Sequence, residues 1–531
     1  MASTRREFIR TTATAAAALA ASPQLRYLAS AQAVAAPAAD SATIEIGEAA
    51  LDAARSAGAT YADVRVTRYR RQAIYTREQQ VRFVADNESY GLGIRALVNG
   101  SWGFAATSRV TRGDAQQAAL QAAALARAAE RVRRQPVELA PVQPVTGTWM
   151  TPLGRDPFLV PIEEKVSLLL SANAAAMRVK EVRFANSNLE LLREQKTLLT
   201  TAGTNVTQTM VRVGPTFYVT AMGSSGDFQG YEEELAPRAL GWEYVESLDM
   251  PGQAERWASI AAQKLTARSV DPGEYDLIIE PTNLWLTLHE SIGHPTELDR
   301  AIGLEANFAG TSFLAPPEAV IGKFRYGPSF MNVQADRTQE GSLSRVAWDD
   351  EGVPADQWLL VERGVFKDYQ TTREQVARIQ KLTGVSRSHG CSFADSWGAV
   401  QFQRMPNISL LPGEEDIDIN DIISDTRRGI LIRNRGSWSI DHQRYNFQFS
   451  GQAFYEVLNG KIGGMLKDVA YQSNTPVFWN SMDLIGGPSS YWMGGVFNDG
   501  KGEPPQNNSV SHGCVPARFR NVTVLNTGRA A

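Results

Sequence analysis

YDLIIEPTNLWLTLHESIGHP, residues 275–295, is the stretch that decides how this chain is read. Residues 275–280 form a short apolar run of the length a buried strand takes. Pro281 suits the first turn of a helix, where its missing N–H would have been unpaired in any case. The helix it opens runs into His289, Glu290 and His294. The whole chain has five histidines, and two of them fall between positions 289 and 294.

The HExxH pattern of zinc hydrolases sets two histidines one helical turn apart, with the glutamate as base. Here the spacing is one residue longer. Helical residues advance about 100° each, so i and i+5 lie about 140° apart and about 7.5 Å along the axis. In a regular helix Glu290 and His294 would share a face, whereas His289 and His294 would not converge. Two devices repair this. A π-type widening realigns i with i+5. Alternatively the helix ends at His294, between Gly293 and Pro295, because the residue before a proline is disfavoured in the α region. Leu284, Leu288 and Ile292 form the apolar stripe, which leaves His289 and Glu290 beside the core-facing centre. The pattern reads as a metal site; the alternative is a helix carrying surface histidines.

Outward from this helix, residues 300–531 are mostly short strands broken by Gly, Asn and Asp turns. On the N-terminal side, Asp271-Pro272-Gly273 is a breaker cluster and the expected domain boundary. Before it, Ala-rich helices are expected near 44–57 and 113–134, with others near 162–178 and 251–268. Between the first two, Val64, Val66, Ile74, Val81, Phe83 and Val98 carry a period-2 strand pattern, and Asn99-Gly100 is a hairpin turn. The expected fold class is α+β: an N-terminal α+β domain over 41–270, then a β-rich C-terminal catalytic domain over 271–531 that carries the HExxxH helix.

The chain has 531 residues, 43% of them hydrophobic, and a formal net charge of −4. That balance argues against nucleic acid as a partner, because phosphate binding needs a basic excess. No apolar run reaches the roughly 18 residues a transmembrane helix needs, so none is expected in the mature chain. Cys391 and Cys514 are the two cysteines, too few for a disulfide scaffold. Residues 1–40 are set apart from the fold. They read as a basic stretch, an Ala-rich segment and a small-x-small cleavage site at Ala31-Gln32-Ala33. Within them, Thr4-Arg5-Arg6-Glu7-Phe8-Ile9-Arg10 looks like a twin-arginine export signal, which implies a periplasmic or extracellular mature protein.

Several stretches, in this order, carry a family resemblance. YGLGIRALVNGSWGFAAT (90–107), the HExxxH of 289–294, GSLSRVAWDDEGVPADQWLLVERGVFKDY (341–369), RMPNISLLPG (404–413), GKGEPPQ (500–506) and VSHGCVPARFRNV (510–522) together resemble the TldD/PmbA family of zinc metalloproteases. The resemblance spans nearly the whole mature chain. It implies a peptidase acting on unfolded or extended peptides, bound by strand addition, and a homodimer or a heterodimer with a TldD/PmbA-family paralogue. His289 and His294 match two metal ligands, and Glu290 matches the glutamate that activates the attacking water.

The chain departs from the family pattern at the third ligand. A cysteine is expected directly before the GK stretch, and Asp499 stands there. A carboxylate can complete a two-histidine zinc site, and being harder than a thiolate it makes Mn²⁺ or Fe²⁺ more competitive with Zn²⁺. Cys514 is the second choice for this ligand; otherwise it is a small buried residue or a disulfide partner of Cys391. His512 is read either as a transition-state hydrogen-bond donor or as a structural imidazole, and Arg387 as a clamp for a substrate carboxylate. Asp349-Asp350-Glu351 reads as a solvated acidic turn, with a second cation site as the alternative. A rival reading of the whole is a catalytically impaired TldD-like peptide-binding or scaffold subunit.

Overall fold

The computed structural model describes residues 40–528. Residues 1–39, which hold the stretch read as a twin-arginine signal and the Ala31-Gln32-Ala33 cleavage site, lie outside the described residues. The first half is built on a twisted sheet of long strands: β1 (Tyr61–Arg77), β2 (Gln80–Val98), β3 (Ser101–Thr107), β4 (Thr146–Met150), β5 (Val182–Thr200), β6 (Asn205–Met222) and β7 (Phe228–Glu233). Their order is β3-β2-β1-β5-β6-β4, with β7 also paired to β6. Asn99 and Gly100 both take left-handed φ (49° and 76°) and turn β2 into β3, as a tight hairpin of that dipeptide requires.

Strand side chains alternate between the two faces of a sheet, and here the alternation separates two chemistries. On one face of β1, Ala62, Val64 and Val66 pack under the helices Ser41–Ser56 and Arg112–Ala129. Further along, Ile74 joins the core under Ile162–Ala176 and Met250–Thr266. The Ala-rich helix 112–129 approaches β3 so closely that a Cβ on Gly103 would lie 2.0 Å from the Ala122 carbonyl oxygen. Val81 and Phe83 break the expected burial: they are 45% and 54% exposed. Their strand runs past the helices there, so neither of its faces is covered.

The opposite face of the same strands is polar, yet it too is buried. Arg95 binds Asp63 at 2.8 Å and Glu351 at 3.0 Å. Lys196 binds Glu194 at 2.7 Å and Asp350 at 2.9 Å, and Arg65 lies 3.6 Å from Asp350. The Asp349-Asp350-Glu351 turn is therefore no solvated acidic turn. Asp350 and Glu351 neutralise cations of the N-terminal sheet, so they are not free for a second cation site. Asp349 instead accepts the N–H groups of Glu351, Val353 and Ser392. Burial, with Glu351 adding, pushes its carboxyl up to about 7.

The second half holds two large sheets and a small two-stranded one, Ser392–Phe393 with Phe402–Gln403. One large sheet orders the strands Val365–Phe366, Gln357–Glu362, Val333–Asp336, Asn407–Leu410, Gln506–Cys514 and Trp492–Lys501. In the other, Arg428–Ile440, Gly273–Ile279, Ala517–Asn526, Val469–Asn474 and Asn446–Leu458 pair in sequence. Arg428–Ile440 also pairs with Asn446–Leu458, which closes these strands into a ring. Closure removes exposed edges. The helix Pro281–Leu288 leaves the ring strand Gly273–Ile279 and is buried along its length. It faces the strand Trp492–Lys501 so closely that a Cβ on Gly494 would strike the Trp285 ring at 2.3 Å. The fold is α+β with a β-rich C-terminal half, as expected.

Candidate metal centre

Of the two devices considered for the HExxxH spacing, the π-type widening is the one used. His294 keeps helical dihedrals (φ −63°, ψ −43°) despite the proline after it, so the chain does not leave the helical region there. The α-helix stops at Leu288, a π-turn covers His289–Gly293, and a 3₁₀ turn follows at His294–Thr296. The His294 N–H donates to the His289 carbonyl, five residues back. That widened repeat brings the two imidazoles to 4.5 Å between centroids, at 69° to each other. Irregular turns free backbone carbonyls, and side chains take them up. The Thr296 hydroxyl lies 2.8 Å from the Ile292 carbonyl and 3.0 Å from that of Gly293, and Gln370 Nε2 donates to Gly293 at 2.7 Å.

Asp499 reaches the same point from the strand Trp492–Lys501, whose register shifts between Val496 and Asp499. Its Oδ1 lies 3.7 Å from His289 Nε2 and 3.6 Å from His294 Nε2. Its Oδ2 is held by Arg404 at 3.2 Å, and Arg404 also donates to the Asp499 carbonyl. One carboxylate oxygen is thus anchored and the other faces the histidines.

Hydrogen bonds fix which nitrogen of each ring is free. His512 Nδ1 lies 3.3 Å from the Ile408 carbonyl, which can only accept, so Nδ1 carries the proton. Its Nε2 then accepts from His289 Nδ1 at 2.7 Å, leaving the His289 Nε2 lone pair toward Asp499. His294 Nδ1 donates to Glu297 at 2.9 Å, which frees its Nε2 in the same way. Burial lowers the His289 pKa to about 3, helped by Arg444, and takes His294 and His512 well below the usual imidazole value. All three rings are neutral at physiological pH. Burial alone would raise Glu297, but Lys501 and Arg300 hold its carboxyl well below the usual range.

His289, His294 and Asp499 place their ligand atoms within 4.8 Å of one another. A tetrahedral ion with bonds of about 2.0–2.2 Å spans donor separations of roughly 3.3–3.6 Å, so two neutral imidazoles and a carboxylate at this spacing fit a divalent cation. Glu290 stands alongside, with its Oε2 3.9 Å from His294 Nε2. Burial raises its pKa, opposed chiefly by Arg444, which forms an ion pair with it; the Trp438 indole also donates to it.

The other expected site residues fall elsewhere. Cys514 and Cys391 are both buried and unbonded to each other. Burial pushes the Cys514 thiol well above its usual value, and it stands outside the donor cluster. His512 is fully buried behind His289 with both ring nitrogens engaged, so it cannot donate to a substrate. Arg387 pairs with Asp356 at 2.7 Å beside His389, which is held between Asp356 at 2.6 Å and Asp368 at 3.0 Å. Its charge is spent in that cluster, away from a carboxylate-clamping role. Arg444, Arg404 and Arg300 were not singled out by the sequence. The one local hint was Glu297, three residues after His294, where a helical ligand finds its carboxylate support.

Two neutral imidazoles and a carboxylate are a donor set of the kind that holds a divalent cation, and a buried glutamate stands beside them. Residues 62–134, 155–268 and 272–525 match, respectively, domain 1, the central domain and the C-terminal domain of the PmbA/TldA metallopeptidases. The chain belongs to the PmbA/TldD metallopeptidase family. It is 26% identical over 468 residues to a metalloprotease of Methanothermobacter thermautotrophicus, covering 88% of this chain and 96% of that one. It is 26% identical to a metalloprotease of Synechocystis, covering 92% of this chain and 99% of that one. A zinc metalloprotease TldD homolog of Saccharolobus solfataricus is 27% identical over 45% of this chain and 49% of its own length. The fold matches that of TldE from Thermococcus kodakarensis with a TM-score of 0.66 and 16% identity, covering 90% of this chain and 99% of that one. Among the described residues no helix is long and apolar enough to cross a membrane.

Proposed function

We propose that this protein is a metal-dependent peptidase cleaving unfolded or extended peptides, with His289, His294 and Asp499 as its metal ligands and Glu290 as general base. The observation that carries this reading is the convergence of two imidazole Nε2 atoms and Asp499 Oδ1 beside Glu290. A divalent cation held there supplies Lewis-acid polarisation of the scissile carbonyl and a lowered pKa for water. The donor set suits Zn²⁺, with Mn²⁺ or Fe²⁺ more competitive than at a thiolate site.

The chain's own residues do the rest. Glu290 takes a proton from water as the water oxygen bonds to the carbonyl carbon. It then returns that proton to the amide nitrogen as the C–N bond breaks, leaving a carboxylic acid and an amine. A buried carboxylate whose pKa is raised above the usual carboxylate value is better suited to both halves of this task than an exposed one. Arg404 and Glu297 keep Asp499 and His294 oriented. The TldE-like fold and the family membership support a dimer with a second copy or with a family paralogue. The Arg5-Arg6 leader supports export by the twin-arginine route to the periplasm or beyond.

Glu290→Gln tests the base. It should retain bound metal and lose about 10²–10⁴ in kcat, because the amide still hydrogen-bonds water but cannot take its proton. Wild-type turnover with metal bound would remove Glu290 from the reaction. Purified wild-type protein with full metal and no turnover of any unstructured peptide would favour the scaffold-subunit reading instead.

A further inference from the structure

We propose that Arg444 is a catalytic residue of this site, exchanging Glu290 for the substrate's scissile carbonyl oxygen and stabilising the negative charge that develops there. This rests on the peptidase reading above.

Arg444 lies in the turn at 441–446 that joins the strands Arg428–Ile440 and Asn446–Leu458. The turn's backbone is held on three sides. Asp441 accepts from the Tyr445 N–H at 2.8 Å, the Asn446 N–H at 2.9 Å and the Asn446 side-chain amide at 2.8 Å. The Arg444 carbonyl accepts from the Thr475 hydroxyl at 2.9 Å, and that of Tyr445 accepts from the Thr475 N–H at 2.8 Å. From the opposite side the Thr311 N–H donates to the His442 carbonyl at 2.9 Å and the Phe313 N–H to that of Gln443 at 3.0 Å. With Arg444 itself at φ 65°, little but its side chain is free to move.

That side chain is poorly satisfied for what it offers. A guanidinium has five N–H donors, and Arg444 spends Nη1 on Glu290 while its buried Nε–H meets no acceptor. A buried donor without an acceptor costs about 1–3 kcal/mol, a cost that a ligand oxygen arriving in the site would remove. The Glu290 pairing also conflicts with the chemistry. Water seated on Glu290 competes for the carboxylate that Arg444 occupies, so the pair must loosen as the water binds. The guanidinium released beside Glu290 is then a preorganised donor next to the reacting carbonyl, where charge stabilisation has its largest effect. Arg300 and Arg404 are committed to Glu297 and Asp499, which leaves Arg444 as the cation whose partner is the base itself.

The same guanidinium could instead anchor a peptide's C-terminal carboxylate, and the test separates the two. Zn²⁺-loaded wild type, Arg444→Lys and Arg444→Ala are assayed on one quenched-fluorescence decapeptide as the free acid and as the C-terminal amide. Bound zinc is measured for each protein. A phosphonate analogue of the same peptide, which mimics the tetrahedral oxyanion, is titrated in parallel. The expected result is a 10²–10³-fold loss of kcat for Arg444→Ala on both peptides, with KM within about threefold and zinc content unchanged. Phosphonate affinity should fall by a similar factor, and Arg444→Lys should recover part of both losses. A KM rise confined to the free acid overturns the proposal in favour of a carboxylate anchor. Unchanged kcat, or phosphonate affinity that does not fall, also overturns it. Loss of zinc or of fold in both variants would reassign Arg444 to structure. Should zinc-loaded wild type cleave neither peptide while still binding the phosphonate in an Arg444-dependent way, the peptidase reading fails and the oxyanion contact stands.

Discussion

His512 Nε2 accepts a hydrogen bond from His289 Nδ1 at 2.7 Å, and His512 in turn is pinned by the Ile408 carbonyl. The parallel pairing of Ile408 with His512 sets this relation, and the Trp285 indole stacks on the outer ring at an interplanar angle of 8°. A histidine one contact behind His289 thus decides which nitrogen of that ring faces Asp499. His512→Ala should weaken metal affinity about 10–100-fold, the usual effect of removing a ligand's outer partner. His512→Gln, which can still offer an acceptor oxygen, should lose less. Competition against a chromophoric chelator measures both. Wild-type affinity in His512→Ala would reduce the pair to packing.

In the proposed site, Asp499 is the donor on which the metal's identity would depend. Asp499→Ala should lower metal occupancy, whereas Cys514→Ser should leave it near wild type, since that thiol lies in the core outside the donor group. Asp499→Cys should restore occupancy and shift preference toward Zn²⁺ over Mn²⁺, because a thiolate is the softer donor. Elemental analysis of the three proteins purified with both metals present decides it. Full occupancy in Asp499→Ala would remove the carboxylate from the site.

The parts of this site legible in the sequence are the local ones. His289, Glu290 and His294 sit within one turn and a half, and their i,i+5 spacing itself signals the π-turn that brings the two rings together. Asp499 was legible only through its place in a family motif, since nothing in its neighbourhood marks it as facing a helix more than two hundred residues away. Arg444 is 154 residues from Glu290 and carries no periodicity or spacing that announces the contact. The acidic triplet at 349–351 was misread for the same reason. Carboxylates in sequence look like surface, and the cations that bury these belong to strands 154 and 256 residues distant. Val81 and Phe83 show the converse: their alternation fits a strand, but alternation cannot say where the covering helices end.

The His389 cluster, outside the candidate metal-ligand group, gives a pH signature of its own. Both ring nitrogens face carboxylates, Asp356 and Asp368, and the ring stacks on Trp358 at 4.1 Å. Burial works against the charged ring, yet the two carboxylates raise the His389 pKa above 6.5, and Arg387 adds its charge at Asp356. A raised folded value means the contribution is fully present below the unfolded pKa of about 6.5 and is lost as pH rises through the folded value. Asp356 is held below 3.8 against burial by His389 and Arg387. Its contribution is present above that value and disappears as pH falls through the lowered one. His389→Gln should therefore flatten the decline in melting temperature on the alkaline side, read from melting curves taken across pH 5–9. An unchanged alkaline slope would show that the pair does not govern it.

The last prediction concerns what joins the N-terminal sheet to the C-terminal half. Arg95 is 4% exposed, binds Asp63 and Glu351 together, and sits over the Trp102 ring at 3.9 Å. Gln401 completes the shell by donating to the second oxygen of Asp63 at 2.8 Å. Burial disfavours the Arg95 charge, but the two carboxylates more than offset it and raise its pKa further. Removing the cation alone would leave both carboxylates buried without a counter-charge, and such losses cost about 3–5 kcal/mol. Arg95→Met should lose that much in urea-induced unfolding. Arg55→Met, which breaks a pair with Asp52 whose side chains are 49% and 74% exposed, should stay within about 1 kcal/mol of wild type. Because Glu351 belongs to the C-terminal half, Arg95→Met should also split a single unfolding transition into two, the N-terminal sheet melting first. A variant that unfolds in one transition at wild-type denaturant concentration would mean that packing of the two halves, not this ion cluster, couples them.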